Sequence, residues 1–118
     1  MKARAVVAMA HVASVAASIE FYKKLGFEVA NTFTPQGAPE PSWAWLESGT
    51  AAQLMVAKGP AAQHSVLFYL YVDDVAAAHA ELAAAGVDVG EIRSELYAER
   101  GEFRVTDPDG YTLMITHT

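Results

Sequence analysis

Apolar and polar positions along this chain fall into one arrangement that occurs twice. Residues 12–29 align without gaps on residues 72–89, an offset of 60, with six of the 18 positions identical. Ala and Val are common here, so the placement of a few residues carries more weight than the count. Ser14 and Asp74 stand where an N-cap belongs, because a side-chain oxygen there accepts one of the N–H groups that a helix start leaves without a partner. Gly26 and Gly86 stand where a helix closes through a left-handed residue, and a short β-branched or aromatic run follows each. An extended apolar run precedes each helix, over 5–12 and 65–72. Farther on, Gln53, Leu54, Met55 and Val56 recur as Thr112, Leu113, Met114 and Ile115 at an offset of 59. Each set follows a turn that closes a preceding strand, Ser48-Gly49 in the first and Asp107-Pro108-Asp109-Gly110 in the second. The pattern predicts two tandem βαβββ modules, about 1–59 and about 64–118, within one domain spanning 1–118. One helix followed by hairpins makes the class α+β and not a doubly wound parallel sheet.

Two connecting segments stand out. Residues 58–63 form the linker between modules, short enough for them to pack together and a natural hinge for exchange between subunits. Residues 33–41 hold three prolines in nine positions. They read as a surface loop, with a lid as the alternative.

Composition narrows the function classes. At 118 residues, with 53% hydrophobic and 19% charged positions, the chain is long enough for one real core and too apolar for disorder. A formal net charge of −6 with eight Lys and Arg argues against a nucleic-acid partner, which requires a clustered basic surface. Cysteine is absent, which removes thiolate metal sites, cysteine nucleophiles and disulfides together. The opening residues do not build a signal peptide and no stretch approaches 18 apolar residues, so a soluble cytoplasmic protein with no membrane partner is expected.

Residues 18–27, Ser-Ile-Glu-Phe-Tyr-Lys-Lys-Leu-Gly-Phe, and residues 101–113, including the Asp107–Gly110 turn, resemble two characteristic stretches of the glyoxalase/bleomycin-resistance/extradiol-dioxygenase (vicinal oxygen chelate) superfamily. With the duplication, the resemblance covers essentially the whole chain. It implies curved mixed sheets around a cleft, and a homodimer with the cleft shared between subunits. It also implies where a divalent metal would be held in the enzymes of that superfamily, by His and Glu on four strands. Those positions here are Val7, Met55, Leu67 and Met114. Aliphatic carbons have no lone pair for a hard or borderline ion, and two thioethers suit at most a soft one. No metal and no cofactor are therefore expected.

Strand parity extends this reading to a ligand site. Side chains alternate faces, so Val7, Met9 and His11 share one side. The same rule puts Tyr69 and Tyr71 with Leu67, Gln53 and Ala57 with Met55, and Thr112 and Thr116 with Met114. Val66, Phe68, Leu70 and Val72 then face the helices, as do Leu46 and Val105. Trp43, Trp45 and Glu47 face the concave side in one module, and Glu102, Arg104 and Thr106 in the other. The candidate ligand-binding set is His11, Met9, Trp43, Trp45, Gln53, Met55, Tyr69, Tyr71, Glu102, Arg104 and Met114. Aromatic faces with a few polar groups suit planar or cationic small molecules. Packing alone is the competing account of Tyr69 and Tyr71.

Other chemistry is thinly supported. His64 lies at the linker's end, His79 at the helix position matching Ile19, where partial burial or surface exposure accounts for it, and His117 at a fraying terminus; no two histidines have ligand spacing. His11 serves either a ligand or a surface or interface contact. No Gly-x-Ser-x-Gly elbow, GxGxxG or P-loop is present. Asp73 with Asp74, and Asp107 with Asp109, are accounted for by capping and turn formation. No catalytic residue is assigned. The leading reading is a metal-free binding protein that sequesters an aromatic or cationic compound such as an antibiotic. The alternatives are a metal-independent lyase, isomerase or hydrolase using His11 with Glu102 or Arg104, and a non-catalytic partner-binding module.

Overall fold

The computed structural model describes residues 1–2, 7–60, 67–96 and 98–117. The chain divides into two compact units, Met1–Ala62 and Gln63–Thr118. The first contains β1 (Ala8–Val12), α1 (Val15–Lys24), β2 (Glu28–Phe33), β3 (Trp43–Ser48) and β4 (Ala52–Lys58). The second contains β5 (Leu67–Tyr71), α2 (Val75–Ala84), β6 (Arg93–Glu95), β7 (Ala98–Thr106) and β8 (Thr112–Thr116). Strand orders are β1-β4-β3-β2 and β5-β8-β7-β6, the same topology twice. In each sheet the first strand runs parallel to the last and the remaining pairs are antiparallel. The class is α+β, in two tandem βαβββ modules of mixed sheet, as expected.

The helix ends show why the duplication is legible. Ser14 Oγ accepts from the Ala17 N–H at 3.1 Å, and Asp74 Oδ1 accepts from the Ala77 N–H at 2.9 Å. At the other ends Gly26 and Gly86 take φ of 90° and 83°, where an L side chain would be strained. The N–H of Phe27 then donates to the Tyr22 carbonyl and that of Val87 to the Leu82 carbonyl, both at 3.0 Å, which is the same terminal motif in both copies.

Burial alternates along β1, β3 and β4 as strand parity requires, whereas every residue of β2 is exposed. Ala10, Val12, Ala44, Leu46, Leu54 and Val56 are buried under α1, which packs on β2, β3 and β4. Each large aliphatic group removed from water there contributes about 1.5–3 kcal/mol. In the second unit Phe103, Val105, Leu113 and Ile115 are buried together with Val75 and Leu82 of α2. Phe68, Leu70 and Val72, expected in the core, are only half-buried. The helix explains this: α2 is built largely of alanine, whose methyl groups cover little area, and it packs chiefly on β7. Val66, His64 and the later part of the 58–63 linker lie outside the described residues, as do the starts of the two runs expected over 5–12 and 65–72.

Two expectations are corrected. The strand expected directly after α2 is reduced to one bridge, Val89 to Val105, because the Gly90 N–H turns to the Arg104 carbonyl at 2.8 Å and pairing resumes, with an irregularity, only at β6. His117 is not a frayed end: its Nε2 accepts from the Arg100 backbone N–H at 2.9 Å, and the Arg100 guanidinium lies 2.9 Å from its Nδ1. His79 is half-buried, one of the two alternatives expected for it, and its ring lies against the Gly90 carbonyl. The proline-rich segment is closed at its base by the Ser42 N–H to the Phe33 carbonyl, and turns within itself through Ala38 N–H to Pro35 carbonyl. No helix among the described residues is long and apolar enough to cross a membrane.

The β7–β8 turn hangs on one side chain. Asp107, 4% exposed, accepts at Oδ1 from the N–H groups of Asp109 (2.9 Å) and Tyr111 (2.8 Å). Hydrogen bonds to a carboxylate are worth about 1.5–3 kcal/mol each and do not add fully. Asp107→Ala is therefore expected to cost about 2–4 kcal/mol in urea unfolding followed by far-UV circular dichroism, and Asp107→Asn, which keeps one acceptor oxygen, clearly less.

Candidate functional site

On the sheet face opposite the helix, the first unit lines up its candidates in two rows. Met9 pairs with Met55, Met55 with Trp45 and Trp45 with Asn31, one residue from each of the four strands. The next row is His11, Ala57, Trp43 and Phe33. Met9 is 48% exposed and Phe33 59%, while Trp43, Trp45 and Met55 are half-buried. Gln53 stands opposite Glu47 and is exposed. The alternation that buries Ala44 and Leu46 beneath α1 forces the two indoles onto the other face. His11 lies over Gly59, where a Cβ would meet its ring at 3.1 Å.

The second unit repeats the arrangement with more charge. Tyr69 pairs with Met114 and Met114 with Arg104 across β5, β8 and β7, and Tyr71 pairs with Thr116. The rings of Tyr69 and Tyr71 stack with centroids 6.3 Å apart and planes 25° from parallel, and both are exposed. Beside this row lies a depression of about 520 Å³. Glu102, Arg104 and Met114 line it, so three predicted residues converge there; Tyr69 and Tyr71 are not in its wall. Glu102 and Met114 are each 7% exposed.

The parity reading missed the rest of the wall, which comes from Phe103 and from the segment carrying Gly90, Glu91, Arg93 and Glu95. That segment is held by His79. Its Nε2 lies 2.9 Å from the Gly90 carbonyl, and its ring meets the Phe103 ring edge-on at 4.9 Å. The Gly90 N–H donates to the Arg104 carbonyl, and a Cβ at Gly90 would come within 3.2 Å of that oxygen. The usable signal was Gly90 itself, whose lack of a side chain allows two backbone segments to touch.

The four positions where the resemblance places metal ligands do not fit a divalent ion. Val7 and Met55 are half-buried, Leu67 is exposed and Met114 is buried. None has an imidazole nitrogen or a carboxylate oxygen to offer. Among the described residues, no three His, Asp or Glu side chains gather closely enough to hold a metal.

Sequence and structure comparisons place this arrangement among known proteins. TnmS3, an antibiotic binding protein from Streptomyces sp. CB03234, superposes with a TM-score of 0.82 at 22% identity, over 99% of this chain and 98% of that one. The bleomycin-binding protein of Streptomyces verticillus, solved with copper(II)-bleomycin, gives 0.75 at 22% identity, over 100% and 98%. The protein SMU.1112c gives 0.77 at 27% identity, over 98% and 100%. No curated protein matches the chain by sequence. Residues 5–115, nearly the whole chain and both βαβββ units, match one family, and the chain belongs to the Glyoxalase/Bleomycin resistance protein/Dioxygenase superfamily.

Proposed function

We propose that this chain is a small-molecule-binding protein that sequesters an aromatic or cationic compound, such as an antibiotic, without a bound metal. One observation carries the reading: the superfamily's ligand positions are apolar here and lie on faces rich in indole, phenol and thioether groups. Such a face stacks on planar molecules and attracts cations through the negative faces of its rings, and methionine adapts to an irregular partner. Support comes from TnmS3, described as an antibiotic binding protein, and from the bleomycin-binding protein with the same fold. The proposal includes the candidate set from the first unit, His11, Met9, Trp43, Trp45, Gln53 and Met55, and from the second, Tyr69, Tyr71, Glu102, Arg104 and Met114. It also includes a cytoplasmic homodimer, for which sedimentation equilibrium should give the mass of two chains.

The test uses the protein's own reporters. Both tryptophans, Trp43 and Trp45, sit on the candidate face. Titration with a panel of planar antibiotics and metabolites, bleomycin included, should change their fluorescence saturably for at least one compound. Silence across the panel would count against binding. Retention of one equivalent of a divalent ion after dialysis would overturn the metal-free clause.

A further inference from the structure

The depression in the second unit carries both signs of charge, although the chain as a whole has a formal charge of −6. Net charge alone would favour cations there. The local inventory is different. Arg93 already has Glu91 at 3.9 Å, both well exposed. Arg104 is exposed, and among the described residues its guanidinium makes no hydrogen bond and no ion pair. Its backbone is nevertheless fixed, by the Gly90 N–H on one side and by pairing with Met114 on the other. The His79 contact holds Gly90 in turn. A planar fork of donors is thus presented from a rigid strand, the geometry that favours two-point recognition of a carboxylate.

The opposite pole lies on the same strand. Glu102, two residues from Arg104, is on the same face and about 7 Å away along β7 by strand geometry. Glu95 also faces the depression. Beneath these poles is Met114, whose thioether gives an apolar floor on which a flat ring can rest.

We infer that this depression takes a planar aromatic zwitterion, with its anionic group on Arg104 and its cationic group toward Glu102 and Glu95. The inference rests on the binding reading above and deepens it: Arg104 sets the specificity by adding a requirement for an anion to a site that otherwise favours cations.

Four probes with one ring and different charge separate the outcomes: 4-(aminomethyl)benzoate (zwitterion), 4-methylbenzylamine (cation), 4-methylbenzoate (anion) and 4-methylbenzyl alcohol (neutral). Chemical-shift titration of ¹⁵N-labelled wild-type protein should show the zwitterion binding about five- to tenfold more tightly than either singly charged probe, with shifts at the Arg104 and Met114 amides. Arg104→Gln should abolish that advantage and bind 4-methylbenzylamine no more weakly than the wild type does, since a like charge is removed; Arg104→Lys should retain part of the advantage. Equal or tighter binding of 4-methylbenzylamine by the wild type would overturn the inference, with no variant needed. Failure of all four probes would overturn it too. If an antibiotic still moves the fluorescence of Trp43 and Trp45, that failure falls on the zwitterion assignment and not on the binding reading.

Discussion

Gly101→Ala is expected to cost about 2–4 kcal/mol, from two sources that add. Gly101 is buried in β7 with φ of 99°, a conformation that costs an L residue about 1–2 kcal/mol. An added Cβ would also stand 2.6 Å from Ile92 Cγ2, closer than real contacts allow, and 3.9 Å from Val75 Cγ1. Ile92 immediately precedes β6, so relief of the clash must move the segment that carries Glu91 and Arg93 in the wall of the depression. Urea unfolding followed by far-UV circular dichroism gives the size of the loss, and Gly86→Ala separates its sources. Gly86 has φ of 83° and nothing within 4 Å of its Cβ position, so it carries the backbone term alone, about 1 kcal/mol. Equal losses in the two variants would mean that Ile92 moves aside freely. Removing the Ile92 branch in the Gly101→Ala background should recover the steric part.

Much of this architecture was legible because its determinants are local. A capping oxygen at Ser14 or Asp74, a glycine at 26 or 86 and an Asp-Pro-Asp-Gly turn each act within a few residues, so their physics survives in a one-dimensional reading. Parity added the faces: Leu46 and Val105, mates in the repeat, are each 1% exposed, and Trp43, Trp45 and Arg104 point the other way. Depth of burial was less accessible. Phe68 and Leu70 have the composition of core residues, yet an alanine helix above them leaves them half-covered. Such shortfalls depend on the volume that a packed neighbour supplies, which the alternation along a strand does not carry.

The candidate site was legible only where it follows the strands. Glu102, Arg104 and Met114 fall on one face by alternation, and the structure brings them to one depression. The remainder of the wall arises where regular pairing fails. Between α2 and β6 the chain makes one bridge at Val89, turns its Gly90 N–H to Arg104 and is held by His79. Those contacts join α2, β7 and a loop, and no periodicity encodes them. His79 shows the contrast well: it occupies the helix position of buried Ile19, which left partial burial and surface exposure both open, and the identity of its partner is a tertiary fact. A cavity made from irregular backbone also accounts for the difference between two units of one topology. The first presents a face of indole and thioether groups, and the second adds charge where its β6 segment departs from the repeat.

Tyr22→Ala is expected to be more damaging than Gly101→Ala, at about 3–5 kcal/mol, because it removes the largest fully buried side chain of the described residues. Tyr22 is 1% exposed. Its ring meets Phe21 edge-on at 5.1 Å and Phe27 at 5.8 Å, and such pairs add about 0.5–1.5 kcal/mol beyond the area they bury. The Phe27 contact also staples the end of α1, since the Phe27 N–H bonds the Tyr22 carbonyl across Gly26. Loss of the ring therefore loosens the helix terminus as well as opening a cavity. Urea unfolding read by Trp43 and Trp45 reports on it directly, because both indoles belong to the same unit. The duplication supplies the control. Leu82 occupies the equivalent place in α2 and is 6% exposed, so Tyr22→Leu places a side chain already accepted by this topology, and about half the Ala loss is expected. Tyr22→Phe isolates the hydroxyl, at about 0.5–1.5 kcal/mol. An Ala variant within about 1 kcal/mol of wild type would mean that the first unit's core does not depend on this aromatic cluster.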